Sequence, residues 1–151
     1  MTKFTVPEGV PDWIRDHTQE YLDSNGEKGH IWDRPDGSGT IPTLLLVTTG
    51  RRSGNDLTLP LIYGEADGNY VIVASKGGAP TNPAWYLNLD AEPEVWLQVG
   101  AERMAATART ASGDERVALW EQMSTLFSPY KDYQQRTERE IPVVVLEPKQ
   151  D

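Results

Sequence analysis

The stretch TLLLVTTGRRSGNDLTLPLIYG, residues 43–64, holds two apolar runs joined by a glycine-flanked turn. Residues 43–49 read as a short buried strand that stops at Gly50. Residues 57–64 read as the strand that returns. Proline gives no N–H to a ladder, so Pro60 marks this second strand as an edge strand or a bulged one. The turn between them sets Arg51 beside Arg52, in a chain whose formal net charge is −9. Two cations in a permissive turn of an acidic chain call for a reason.

Working outward, Asp67-Gly68 is a hairpin turn into a strand over residues 69–76. Gly77-Gly78 breaks that strand. Asn82 followed by Pro83 predicts a helix start, a capping side chain and then proline at the first helical position. That helix runs until Pro93. Residues 94–99 and 103–110 read as two more strands around Gly100. Ser112 and Glu115 have the spacing of a capping box and open a helix through Leu126. Its predicted buried face is Val117, Trp120, Met123 and Leu126, with Leu119 beside them. Ser128-Pro129 interrupts the helix, and residues 130–137 predict a short one. IPVVVLEP, residues 141–148, is the last buried strand. Upstream, Trp13, Ile14, His17, Tyr21 and Leu22 fall on one face of a helix over residues 12–22, which Asn25-Gly26 ends. A polar loop anchored by Trp32 and Pro35 then runs to Thr40.

This makes about six strands in neighbouring hairpins, without βαβ alternation. The expected fold class is α+β, a mostly antiparallel barrel with flanking helices. At 151 residues one domain is expected over residues 1–151, with residues 1–40 a helix and loop and residues 41–148 the barrel core.

Composition narrows the function classes. Twenty-three acids against 14 bases disfavour a nucleic-acid partner and adhesion to anionic lipid. No run of about 18 apolar residues predicts stable membrane insertion, although peripheral contact stays open. The first residues lack the apolar core of a signal peptide, so a cytoplasmic protein is expected. With no cysteine and two histidines there is no thiol chemistry, no metal-ligand spacing and no Ser-His-Asp pattern, and no metal is expected.

Three stretches carry candidate chemistry. In the turn, Gly50 and Gly54 allow tight backbone conformations, while Arg51 and Arg52 offer forked donors for phosphate or carboxylate. A hairpin with solvated arginines is the plain alternative. In ASKGGAPTNPAWYLNL, residues 74–89, a strand end, Lys76, two glycines and a helix start follow in succession, which suits an anion. In SPYKDYQQRTEREIP, residues 128–142, Tyr130 and Tyr133 share a helical face and can donate a hydrogen bond or proton. His17 and His30 lie far from all three in sequence, which leaves no histidine as a proton source there.

From Thr43 onward the chain resembles the deazaflavin-dependent nitroreductase family, whose members bind coenzyme F420. The resemblance rests on LLLVTTGRRSG with a Pro-Leu pair downstream, YVIVASKGG, NPAWYLNL, the acidic-capped helix with Trp120, and YKDYQQRTEREIPVVVLEP, in that order. Residues 1–40 match only in general character. The resemblance implies a split β-barrel with the deazaflavin in a groove beside it. It implies that Arg51 and Arg52, with Ser53, Gly54 and Asn55, face the phosphate and oligoglutamate tail. Pro60, Ala74, Ser75, Lys76 and Gly77 would line the coenzyme, and Ala84, Trp85 and Tyr86 would border it. Two positions depart from the commoner pattern: Leu57 stands where many relatives carry another arginine, and Ile62 where some nitroreducing members carry a tyrosine.

The expected activity is hydride transfer from reduced F420 to a small electron-poor acceptor, a quinone, activated alkene or nitro compound. Ser75 and Tyr130, then Tyr133, are the candidate groups that polarise or protonate it. An FMN-dependent reductase or oxidase on the same barrel is the rival enzyme. A carrier that holds F420 or an apolar ligand without turnover is the non-catalytic rival. Monomer and homodimer are both compatible with the sequence.

Overall fold

The computed structural model describes residues 4–6, 9–34, 37 and 39–149. Four helices accompany eight strands: α1 Asp12–Asp23, β1 Ile31–Asp33, β2 Thr40–Thr49, β3 Asp56–Ile62, β4 Gly64–Ala66, β5 Asn69–Val73, α2 Ala84–Ala91, β6 Glu94–Val99, β7 Glu102–Thr110, α3 Gly113–Leu126, α4 Pro129–Gln135 and β8 Val143–Pro148. A single 3-10 turn, Lys76–Gly78, follows β5. No helix among these is long and apolar enough to cross a membrane.

All strand pairs are antiparallel, in the order β1-β2-β6-β7-β8-β5-β4, with β3 on the other side of β2. β3 and β4 are one stretch of chain bent at Tyr63. Its first half pairs with β2, as in Leu45↔Pro60, and its second with β5, as in Glu65↔Tyr70. Counting that stretch as one stave and leaving out the short β1, the sheet curls into a six-stave barrel. It stays split where β3 turns an unpaired edge towards β5. Pro60 lies in that strand, as an in-strand proline requires.

Successive residues of a strand face opposite sides, and here both sides are covered. Ile72, Val144 and Leu146 point into the barrel with Leu44, Leu46 and Leu97. Val71, Val73, Val143 and Val145 point outward under Leu119 and Met123 of α3 and Tyr130 of α4. Burial on both faces is why these strands read as unbroken apolar runs. α1 is anchored by Tyr21, which is fully buried. Its hydroxyl donates to Thr43 O at 3.0 Å and accepts from the Gly100 amide at 2.8 Å.

The structure corrects five expectations. The loop before Thr40 contains a short strand, β1, paired with β2; a three-residue strand among polar residues carries no periodicity. Pro35 falls outside the described residues. β5 stops at Val73, because the chain leaves the sheet for the 3-10 turn. Pro83, not Asn82, is the residue before α2, and the Asn82 side chain accepts from Arg139 instead of capping. The capping box at Ser112 does not form, since Glu115 is taken by Arg109 at 2.8 Å. Val117 is 67% exposed, and Leu119 takes its place on the buried side of α3 beside Met123.

Candidate active site

A groove of about 560 Å³ opens along the unpaired edge of β3. One wall is the strand itself, from Leu59 to Ile62. Another is α1 with β1, which contribute Trp13, His17 and Trp32. The third gathers the end of β5, the start of α2 and the tyrosines of α4. An apolar slot with few polar groups is the usual form of a site for a flat organic ligand.

Of the residues proposed from the sequence as coenzyme or catalytic contacts, Pro60, Ser75, Lys76, Trp85, Tyr130 and Tyr133 line this groove together. The others do not. Ala74 is fully buried in the core behind Ser75. Gly77 sits within the 3-10 turn. Ala84 is exposed, and Tyr86 turns its hydroxyl to Thr110 Oγ1, 2.8 Å away. Residues 51–55 form the exposed turn between β2 and β3.

That turn is nonetheless tied to the groove's third wall. The Arg51 amide and Nη1 donate to Asn88 Oδ1 of α2 at 3.2 and 3.0 Å. Asn88 is buried, and its Nδ2 donates to Thr48 Oγ1 at 3.3 Å. The helix whose first turn brings Trp85 to the groove therefore also braces the arginine turn. Lys76 has a left-handed backbone, φ 47°, and its Nζ donates to Thr81 Oγ1 at 3.3 Å.

Tyr130 is buried except where it meets the groove, 4% exposed in all. Its ring packs edge-on against Phe127 at 5.0 Å and near Tyr133 at 6.3 Å. Burial, reinforced by Tyr133, pushes its phenol well above the ordinary value. The hydroxyl thus stays protonated, and so a donor, throughout the neutral range.

Two residues escaped the sequence reading. His17 was set aside for its distance along the chain, yet α1 carries it to the groove. Its Nε2 lies 2.8 Å from Gly29 O. A carbonyl only accepts, so Nε2 carries the hydrogen. The expectation that no histidine is at hand is corrected. Arg139, the single cation of TEREIP between two glutamates, reaches the loop after β5 with four hydrogen bonds; no local pattern announces that reach.

Residues 13–148 match the F420H(2)-dependent quinone reductase family. The chain belongs to that family. An F420H(2)-dependent quinone reductase of Mycobacterium tuberculosis (strain ATCC 25618 / H37Rv) is 40% identical over 136 residues, covering 88% of this chain and 88% of that protein. A putative F420H(2)-dependent quinone reductase of Mycobacterium bovis matches with the same identity and coverage. Among solved structures, the F420-H2 dependent reductase FDR-A is 42% identical, with TM-score 0.66, over 70% of this chain and 94% of its own. A relative solved as a domain-swapped dimer is 38% identical, with TM-score 0.67, over 90% of this chain and 98% of its own. The split barrel is the fold expected of an F420H(2)-dependent quinone reductase.

Proposed function

We propose that this F420H(2)-dependent oxidoreductase reduces a small, flat, electron-poor acceptor, a quinone foremost, in the groove along β3. The observation that carries the reading is one cavity that joins an apolar slot to a polar end. Leu59, Pro60 and Trp85 supply the slot, and Ser75 and Lys76 the polar end. The donor set fits an amphiphilic coenzyme with a flat ring and an anionic tail. Pro60, Ser75, Lys76 and Trp85 would hold the ring and its near substituents, and Arg51 and Arg52 the tail further out. Reduced F420, when bound, supplies the hydride.

The chain's own contribution is placement, exclusion of water and proton supply. Tyr130 and Tyr133 face the groove from α4, with Ser75 from the end of β5, and these are the groups that polarise the acceptor. His17 lines the opposite wall. A small-molecule acceptor suits a chain of net charge −9 better than nucleic acid does.

Equilibrium titration with oxidised F420 and with FMN tests the coenzyme, and turnover with reduced F420 across a quinone panel tests the reaction. Preference for FMN, or binding of F420 without turnover, would overturn the reading in favour of the flavin enzyme or the carrier.

Two predictions follow from the arginine turn. Arg51→Ala and Arg52→Ala are each expected to weaken F420 binding about fivefold, roughly 1 kcal/mol, the modest size that fits an exposed pair. The loss should fade as salt rises. Arg51→Ala should also lower thermal stability slightly, because Asn88 loses a donor. Leu57 pairs with Thr48 at the start of β3 and is half-buried. Leu57→Arg is expected to tighten F420 binding several-fold by restoring a cation beside the tail. Flat affinity with a lowered melting temperature would mean that Leu57 serves the barrel alone.

A further inference from the structure

Arg139 lies between α4 and β8, and its guanidinium reaches back to the loop after β5. Nε donates to Ala79 O at 2.9 Å and Nη2 to Ser75 O at 2.8 Å. Nη1 donates to Asn82 Oδ1 at 2.8 Å and to Ala74 O at 3.3 Å. A planar fork that meets acceptors at both ends of a loop holds the loop as a template, which a flexible ammonium cannot do. The loop has no slack on its other side. Gly78 has φ 82°, and a Cβ there would stand 2.6 Å from Tyr133 O of α4. The loop that carries Ser75 and Lys76 is thus locked to the helix that carries Tyr130 and Tyr133.

The direction of the peptides matters as much as their rigidity. Across a trans peptide the carbonyl and the next amide point opposite ways. With the Ala74 and Ser75 carbonyls turned onto Arg139, the Ser75 and Lys76 amides face away from it. Neither amide donates to an acceptor among the described residues. No carboxylate among those residues stands within salt-bridge distance of Arg139 either. Among the described residues its charge is met only by carbonyl and amide oxygens.

We propose that Arg139 is the positioning residue of the coenzyme loop: by collecting the carbonyls of Ala74, Ser75 and Ala79 on one side, it turns the Ser75 and Lys76 amides outward as donors for the coenzyme. Arg139 itself touches no ligand in this role. The proposal rests on the reading above that Ser75 and Lys76 contact F420, and its test separates the two.

Hydrogen exchange of the uncomplexed protein, read over residues 75–79 and over β2 and β6, is compared for wild type, Arg139→Gln and Arg139→Lys. Oxidised F420 is titrated into each. Arg139→Gln is expected to speed loop exchange about tenfold or more while β2 and β6 stay protected, and to weaken F420 binding about tenfold. Arg139→Lys keeps the charge but lacks the fork, and should fall between. If β2 and β6 lose protection in the glutamine variant, the lysine variant carries the test. Unchanged loop exchange in a folded variant overturns the positioning role. A loosened loop with unchanged F420 affinity overturns its link to the coenzyme. Wild type that fails to bind F420 overturns the coenzyme reading itself, while loop exchange still judges the clamp.

Discussion

Tyr130→Phe is expected to lower kcat with reduced F420 and a short-chain quinone by roughly a hundredfold, with F420 affinity and melting temperature little changed. The ring is what packs: it is held by Phe127, Trp120 and Tyr133, and phenylalanine keeps those contacts. What the substitution removes is a hydroxyl that donates to no described residue and belongs to a side chain lining the groove. Burial keeps the phenol protonated, and in the proposed reaction it would donate a hydrogen bond to the acceptor oxygen on which charge develops. Because the pKa is raised, no loss of rate from Tyr130 ionisation is expected below about pH 10. An unchanged kcat would remove Tyr130 from the proton-supplying role, and a fall in F420 affinity with kcat intact would make Tyr130 a coenzyme contact. Steady-state kinetics beside an equilibrium titration distinguish these outcomes.

Gly26→Ala is expected to destabilise the fold by about 3 kcal/mol or more, read from urea or thermal unfolding. Gly26 follows α1 with φ 82°, and its amide donates to Tyr21 O at 2.8 Å. A Cβ at this position would stand closer to Gly100 O than atoms tolerate, and that obstacle is backbone of the β6–β7 turn. Positive φ and a backbone clash act together, so relaxation has to move α1 or the turn. Tyr21→Phe probes the same junction more gently. It strips the Gly100 amide of its acceptor in a part-buried place, and the expected cost is about 1–3 kcal/mol. Should Gly26→Ala cost less than about 1 kcal/mol, α1 would be only loosely docked. It could then not serve as a fixed wall carrying Trp13 and His17.

How far the sequence spoke for this protein differs from one element to the next. The β2–β3 hairpin was legible because a continuous apolar run met a glycine turn and returned. The β4–β5 hairpin was legible in Asp67-Gly68, and the groove residues Ser75 and Lys76 in the break after a buried strand. Each of these is decided by neighbours along the chain, through turn geometry and the two-residue period of a strand. Capping was misread for a related reason. Asn82 and Glu115 have local capping geometry available, but Arg139 and Arg109 are charged donors delivered from elsewhere, and a charge-assisted hydrogen bond outcompetes a local cap.

The amino-acid sequence by itself determined six of the strands, the two hairpins, the arginine turn and the loop that carries Ser75 and Lys76. Tertiary structure alone decided that α1 brings His17 and Trp13 to the groove, that the bend at Tyr63 lets one stretch serve both edges of the split, and that Arg139 holds a loop some 60 residues away in sequence. The reason is physical. Propensity, turn chemistry and periodicity act over a few residues and leave a mark in each local stretch. The groove is made by groups that meet only after the sheet has curled, and nothing in the local sequence around Arg139 or His17 differs from that of a solvated cation or a packed histidine.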